Sequence, residues 1–334
     1  MTTRSAPTPP GGSEISSGPT AAGMSDHDRA AFRRRHYNAV VSRISAVHRD
    51  LIRMTVRPDT VMHPPRGGQY VTLGLGRFER RVEGCQDDPY SAKEAAKLVR
   101  RAYSLSCPML DGDALAPVSE ADEFEFYVVL VRENDGDPPL LTPRLFGLEV
   151  GDRLAIGKKF VGTYTTEGVG PDDTVLMIGT GTGEAPHNAM ATELLAAGQR
   201  GAIVNVTTVR HAIDSGYDQT HEDLHRRYAN YHRVLLTTRD PVNVDPAHPG
   251  FVGKRYVQQL LTDGSLSDRV GVAFSPSTTH IFLCGNPAMI GYAPPGGEPA
   301  PGGLLPLLTA AGYRDGHAPD VTPGVGVVRF EKYW

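Results

Sequence analysis

The 334-residue sequence predicts a β plus α/β chain of two domains, an N-terminal antiparallel β-barrel followed by a C-terminal α/β domain with a parallel sheet. Two observations predict it. From about His36 to Tyr164 the apolar runs are short, alternating, and separated by Gly, Pro and Asp. After Pro171 longer apolar strands alternate with helical periodicity. The boundaries read from these textures are a disordered tail over 1–35, the barrel over 36–168 and the α/β domain over 169–334.

The first 23 residues are rich in Pro, Gly, Ser and Thr and lack the apolar core of a secretory signal. Strands are expected at 38–47, 50–56, 68–75, 101–106 and 124–131. The polar stretch 79–100 reads as a helix-prone insertion between two of them. In the second half, strands are expected at 174–181, 202–210, 233–240 and 280–287. Helices are expected at 185–198, 221–231 and 254–261, and a Pro/Gly loop at 292–303.

Composition excludes several classes. A net charge of −4 gives no overall attraction to nucleic acid or membrane. No apolar run reaches the roughly 18 residues of a membrane span. The three cysteines, Cys85, Cys107 and Cys284, have no metal-ligand spacing, so neither a zinc site nor an iron–sulfur cluster is expected. Few cysteines and no signal point to the cytoplasm.

The segment Gly179-Thr180-Gly181-Thr182-Gly183-Glu184-Ala185-Pro186 follows a strand and opens a helix. Glycines there let the backbone approach a pyrophosphate, and a helix N-terminus favours negative charge. The α/β domain therefore reads as nucleotide-binding. Its glycines stand at positions 1, 3 and 5, unlike the usual dinucleotide spacing, and no Lys-Ser/Thr follows, so it is not a Walker loop. The next strand ends in Arg210, the following one in Arg239, and Lys254 and Arg255 open a helix. Basic residues at strand carboxyl ends suit a 2′-phosphate, which favours NADP(H) over NAD(H).

Five segments in order carry a resemblance to the ferredoxin–NADP reductase family, over about Tyr37 to Trp334. RAYS (Arg101, Ala102, Tyr103, Ser104) resembles its flavin signature. EFYVVLV (125–131, with Tyr127 and Val128) and LTPRL (141–145, with Leu141 and Thr142) are similar to its next flavin segments. GTGTGEAP is similar to its nicotinamide-nucleotide loop, and CGNPAM (Cys284, Gly285, Asn286, Pro287, Met289) to its second nicotinamide motif. The final FEKYW resembles bacterial members with a terminal aromatic pair, Tyr333 and Trp334. The resemblance implies FAD held by Arg101, Ala102, Tyr103, Ser104, Tyr127, Val128, Leu141, Thr142, Tyr333 and Trp334, with Thr142 capping a short helix. It implies NADP(H) on 179–183, 285–287 and Met289, to which the charge reading above adds Arg210, Arg239, Lys254 and Arg255, and it implies Ser104, Cys284 and Glu331 at the reacting atoms. A terminal aromatic ring would cover the flavin and move for nicotinamide to enter.

The implied activity is FAD-dependent electron transfer between NADP(H) and a separate ferredoxin or flavodoxin. Arg77, Arg80, Arg81, Arg100 and 33–35 are candidates for docking an acidic carrier. Two other readings stand beside it. One is an NAD(P)H-dependent reductase of free flavin, a cytochrome or an oxygenase. The other is a flavin-binding redox sensor without catalysis.

Overall fold

The computed structural model describes residues 24–292, 302–318 and 320–333. It opens with helix α1 (Asp26–His36), where a tail was expected. Ser25 and Asp28 form a reciprocal capping box at its start, which satisfies two orphan donors. Phe32 is the one buried residue of α1, and it meets Phe78 edge-on at 5.2 Å. Arg33 makes a bidentate bond to Glu79. The described part of the expected tail is thus docked on the barrel; residues 1–23 lie outside the described range.

The barrel holds β1 (Ala39–His48), β2 (Leu51–Pro58), β3 (Tyr70–Gly76), β4 (Leu98–Ser104), β5 (Met109–Asp111), β6 (Ala114–Ala116), β7 (Phe124–Val129) and β8 (Arg153–Ile156). Six of these form one antiparallel sheet in the order β4-β3-β8-β1-β2-β7, and β5 and β6 make a separate hairpin. Just beyond β4, Ser106 bridges to Glu125 of β7, so the two ends of the sheet meet and the barrel closes. Between β3 and β4, the stretch expected to be helical contains only α2 (Ala92–Ala95). Ion pairs hold it instead of helical bonds: Asp88 accepts from Arg77 and from the fully buried Arg144. Arg144 lies on α3 (Thr142–Leu145).

The α/β domain runs β9 (Thr174–Thr180), α4 (Glu184–Ala196), β10 (Ile203–Val209), α5 (Asp218–Arg227), β11 (Tyr231–Thr237), α6 (Pro241–Val244), α7 (Val257–Thr262), α8 (Ser265–Val270), β12 (Thr279–Gly285), α9 (Pro287–Ile290), α10 (Leu304–Ala310), β13 (Arg314–Asp315) and β14 (Val327–Lys332). The sheet order is β11-β10-β9-β12-β14-β13, all parallel. Every residue of β12 is buried, as expected of a strand covered on both faces. On one face, α4 and the sheet share a continuous core with the barrel, through Val175, Met177, Met190 and Phe282. On the other face, α7, α8, α9 and α10 cover Leu176, Ile178 and Ile281. Arg329 of β14 donates to the carbonyls of Thr165 and Glu167 at 2.7 Å, which ties the connecting segment to the sheet. The chain steps from β9 outward to β11, then returns to β12 on the other side of β9. The crevice at that reversal is where open α/β sheets hold ligands.

Candidate active site at the sheet switch point

β9 ends at Thr180 and turns through Gly181 to Gly183 into α4. Gly181 takes φ +53°, a left-handed conformation that favours glycine. Gly183 needs its small size: a Cβ there would stand 2.3 Å from the Cys284 carbonyl oxygen. Gly285 is its counterpart, with φ +121° and a Cβ position 2.3 Å from Thr180 Oγ1. The Asn286 N–H donates to Thr180 Oγ1 at 2.8 Å. The two glycine-bearing segments that lie about a hundred residues apart in the sequence are therefore interlocked backbone on backbone. Asn286 caps α9 through Ala288 N, while Met289 packs into the outer core. Beneath the turn, buried Glu184 meets His221 Nε2 at 2.9 Å and Arg233 Nη2 at 3.1 Å. Neither partner of Glu184 was foreseen, because both arrive from α5 and β11.

Three strands bring the expected reacting residues together. Cys284 on β12 is paired in register with Glu331 on β14. Tyr333 follows directly, and its N–H donates to the Gly285 carbonyl at 3.0 Å. The Tyr333 phenol is hydrogen-bonded to Ser104, at the end of β4, and to Cys284. The barrel and the α/β domain thus meet at one polar knot. Burial dominates its electrostatics. It pushes the Glu331 carboxyl up to about 7, and it raises the Cys284 thiol and the Tyr333 phenol. Glu331 Oε2 is buried and has no hydrogen-bond partner among the described residues. Tyr164, which sequence reasoning missed, lies within electrostatic reach of Cys284, Glu331 and Tyr333. Its hydroxyl is bonded to His187 Nε2 at 2.8 Å. Only its position on the connecting segment, invisible in the sequence, places it there.

On β4, Arg100, Arg101 and Ala102 are exposed, and Arg101 Nη1 donates to the Arg100 carbonyl at 2.8 Å. The Tyr103 ring meets Phe126 edge-on at 6.4 Å. Other expected flavin contacts are placed differently. The Tyr127 hydroxyl donates to the Asp214 carbonyl at 3.0 Å and accepts the Gly216 N–H at 2.9 Å, so it faces the α/β domain. Val128, one residue on, points into the barrel core, as does Leu141. Thr142 does not cap α3. Leu141 takes the N-cap position, and Thr142 Oγ1 accepts the Val131 N–H at 3.2 Å. Trp334 lies outside the described residues, as do 293–301 of the expected Pro/Gly loop.

Arg210 and Arg239 follow the ends of β10 and β11 at the crevice, and the Arg239 N–H donates to the Arg210 carbonyl at 2.8 Å. Lys254 and Arg255 precede α7 and do not open it. Arg255 pairs with Asp263 and Ser265, which turns it away from the other basic residues, whereas Lys254 lies over the exposed Tyr256 ring at 5.7 Å. Among the proposed carrier-docking residues, Arg33, Arg77 and Arg80 are engaged by Glu79, Asp88 and Glu149, and Arg81 by backbone carbonyls. Arg34, Arg35 and Arg100 remain exposed.

Comparison with known proteins agrees with this geometry. Residues 177–294 match the family described as an oxidoreductase NAD-binding domain. The chain is 26% identical over 212 residues to the flavodoxin/ferredoxin–NADP reductase of Escherichia coli, covering 60% of this chain and 76% of that one. To the ferredoxin–NADP reductase of Azotobacter vinelandii it is 23% identical over 224 residues, covering 67% and 74%. In fold it is similar to a ferredoxin NADP+ reductase of Neisseria gonorrhoeae, solved with FAD and NADP, at TM-score 0.64 and 18% identity, covering 89% and 98%. It is also similar to the flavohem-like FAD/NAD-binding domain of a Vibrio cholerae nitric oxide dioxygenase, at TM-score 0.59 and 16% identity, covering 90% and 99%. A closed antiparallel barrel, a parallel sheet and a polar knot at their seam define an oxidoreductase of the pyridine-nucleotide class. Within that class, the chain is similar to ferredoxin–NADP reductases in sequence and in fold.

Proposed function

We propose that the chain is an FAD-dependent enzyme that moves electrons between NADP(H) and a small carrier protein, a ferredoxin or a flavodoxin, in the cytoplasm. The observation that carries the reading is the convergence of Ser104, Cys284, Glu331 and Tyr333 at the switch-point crevice. The relatives' names supply the carrier class. No described helix is long and apolar enough to cross a membrane.

The residues fit FAD and NADP(H). A buried carboxyl oxygen without a described partner faces the seam, and the exposed Arg101 stands on the strand that ends at Ser104. In this reading Arg101, Ala102, Tyr103 and Ser104 of the barrel hold FAD. The interlocked turns at Gly179–Gly183 and Gly285–Pro287, with Arg210, Arg239 and Lys254, hold NADP(H). Arg210 and Arg239 grip the 2′-phosphate by charge-assisted bonds. Bound FAD supplies hydride exchange with the nicotinamide and one-electron exchange with the carrier. The chain's own residues orient and shield. The Ser104 hydroxyl offers a hydrogen bond at the barrel side of the crevice, and Glu331 holds a proton near neutral pH. Cys284 presents a soft, uncharged surface, and Tyr333 closes the crevice above it. Deleting Tyr333 and Trp334 is expected to tighten NADP+ binding at least tenfold, because the ring no longer competes for that place. Calorimetric affinity equal to that of the full chain would remove Tyr333 from this role.

The absorption spectrum of the purified protein tests the whole reading. We expect the visible absorption bands of an oxidised flavin, which NADPH bleaches anaerobically and NADH bleaches poorly, with reoxidation by added ferredoxin or flavodoxin. A protein that stays colourless after incubation with FAD would overturn it. Bleaching followed by reoxidation with free flavin or a cytochrome alone would favour the other reductase reading.

A further inference from the structure

Four side chains outside the reacting knot form one chain across the domain seam. It starts at His48, the last residue of β1. His48 Nδ1 accepts the Asp50 N–H at 3.2 Å, which leaves Nε2 to face Asp214. The Nε2–Oδ1 separation is 3.0 Å, a close polar contact and not an aligned hydrogen bond. The other oxygen of Asp214 accepts the His211 N–H at 2.9 Å. His211 Nδ1 then meets Asp240 Oδ1 at 3.0 Å, and Asp240 Oδ2 accepts the Ala212 N–H at 3.0 Å. His211 is the residue after Arg210, and Asp240 is the residue after Arg239. The two arginine backbones are themselves hydrogen-bonded.

A second clasp holds the same loop. Tyr127 of β7 bonds both Asp214 and Gly216, and a Cβ on Gly216 would come within 2.7 Å of the Tyr127 hydroxyl and of Val47. Tyr217 adds a buried bond to Glu125 at 2.8 Å. The loop that carries Arg210 into α5 is therefore seated on barrel strands β1 and β7, not only on its own sheet. A tether that merely held the domains together would have no reason to run through His211 and Asp240, each the immediate neighbour of a crevice arginine. Guanidinium grip on a phosphate depends on placement to well within an ångström.

We propose that His48, Asp214, His211 and Asp240 are positioning residues for recognition of the NADP(H) 2′-phosphate. They fix the backbone on which Arg210 and Arg239 stand, so the barrel contributes to discrimination between NADP(H) and NAD(H). The inference rests on the reading that these arginines hold that phosphate.

The test uses the full chain loaded with FAD and calorimetric binding of 2′,5′-ADP and of 5′-ADP, which differ in the 2′-phosphate. His48→Leu is expected to weaken 2′,5′-ADP about fivefold, the worth of one polar contact of about 1 kcal/mol. Binding of 5′-ADP, the KM for NADH and kcat should not change. Asp240→Asn, which weakens the chain at its other end without removing volume, should show the same selectivity. In an Arg210→Ala background, where only Arg239 is left to be positioned, the effect of His48→Leu should shrink. Equal weakening of both nucleotides, or an undiminished effect without Arg210, would overturn the proposal and leave the arginine reading intact. If Arg210→Ala alone binds 2′,5′-ADP normally, the arginine reading fails and the proposal with it.

Discussion

Replacing Gly183 by Ala should unfold the enzyme several degrees earlier and weaken NADPH binding at least tenfold. Gly183 has an ordinary helical backbone, φ −61°. Its constraint is space: the added methyl would lie 2.3 Å from the Cys284 oxygen, 2.7 Å from its carbonyl carbon and 3.1 Å from Gly285 N. All three are backbone atoms of a central strand, so no rotamer change relieves the overlap. Forced methylenes in packed cores cost about 1–3 kcal/mol, and a backbone neighbour puts this one at the upper end. At that cost Tm falls by roughly 6–12 °C in a domain of this size. Relief can come only by parting the two turns, which are the ones proposed to hold NADP(H). Gly181→Ala is the internal control. Its φ is +53°, but no atom lies within 4 Å of the new methyl. The cost there is the left-handed penalty, about 1–2 kcal/mol, and no turn has to move. Scanning calorimetry and NADPH titration of both variants decide. If Gly183→Ala melts within about 2 °C of the parent and binds NADPH equally well, the interlock does not matter.

The same pair of glycines marks how much of the site was legible in the sequence. GTGTGEAP and CGNP each announce a turn between strand and helix, because glycine and proline act locally. That Gly183 touches Cys284 is a consequence of sheet order, and no local pattern encodes that β9 neighbours β12. Strand β7 shows the same limit. Its alternation was readable, and Phe124, Phe126 and Val128 do face the barrel core. Tyr127, on the opposite face with Glu125, was assigned to a cofactor, but both residues meet the 214–217 loop. Arg255 was misplaced for a simpler reason: Asp263, eight residues on, captures it. Helix α1 was missed because its mean hydropathy is strongly polar and a single Phe anchors it. Its one local signal was the spacing of Ser25 and Asp28. Ser104, Cys284 and Glu331 were grouped by resemblance, and three strands from both domains bring them to one place.

Glu331→Gln should lower kcat about a hundredfold, the lower range for loss of a general acid, and should change how stability depends on pH. Burial lifts the Glu331 carboxyl to about 7 in the folded protein, from an ordinary value of 4.5. The folded state therefore binds more protons than the unfolded state between about 4.5 and 7. Stability must fall as pH rises through that window and level off above it. The full shift would correspond to over 3 kcal/mol, and the partial exposure of the side chain reduces this to about 2 kcal/mol. Glutamine keeps the shape and carries no charge. The variant should match the parent near pH 4, below that window, and melt several degrees higher at pH 8. Turnover gives an independent reading of the same proton. If Glu331 acts in its protonated form, parental kcat declines as pH rises through about 7, and the variant lacks that limb. A variant that retains the limb would assign it to another group. A variant no more stable than the parent at pH 8 would mean that Glu331 finds a partner in the working enzyme, and its raised pKa would then no longer hold there.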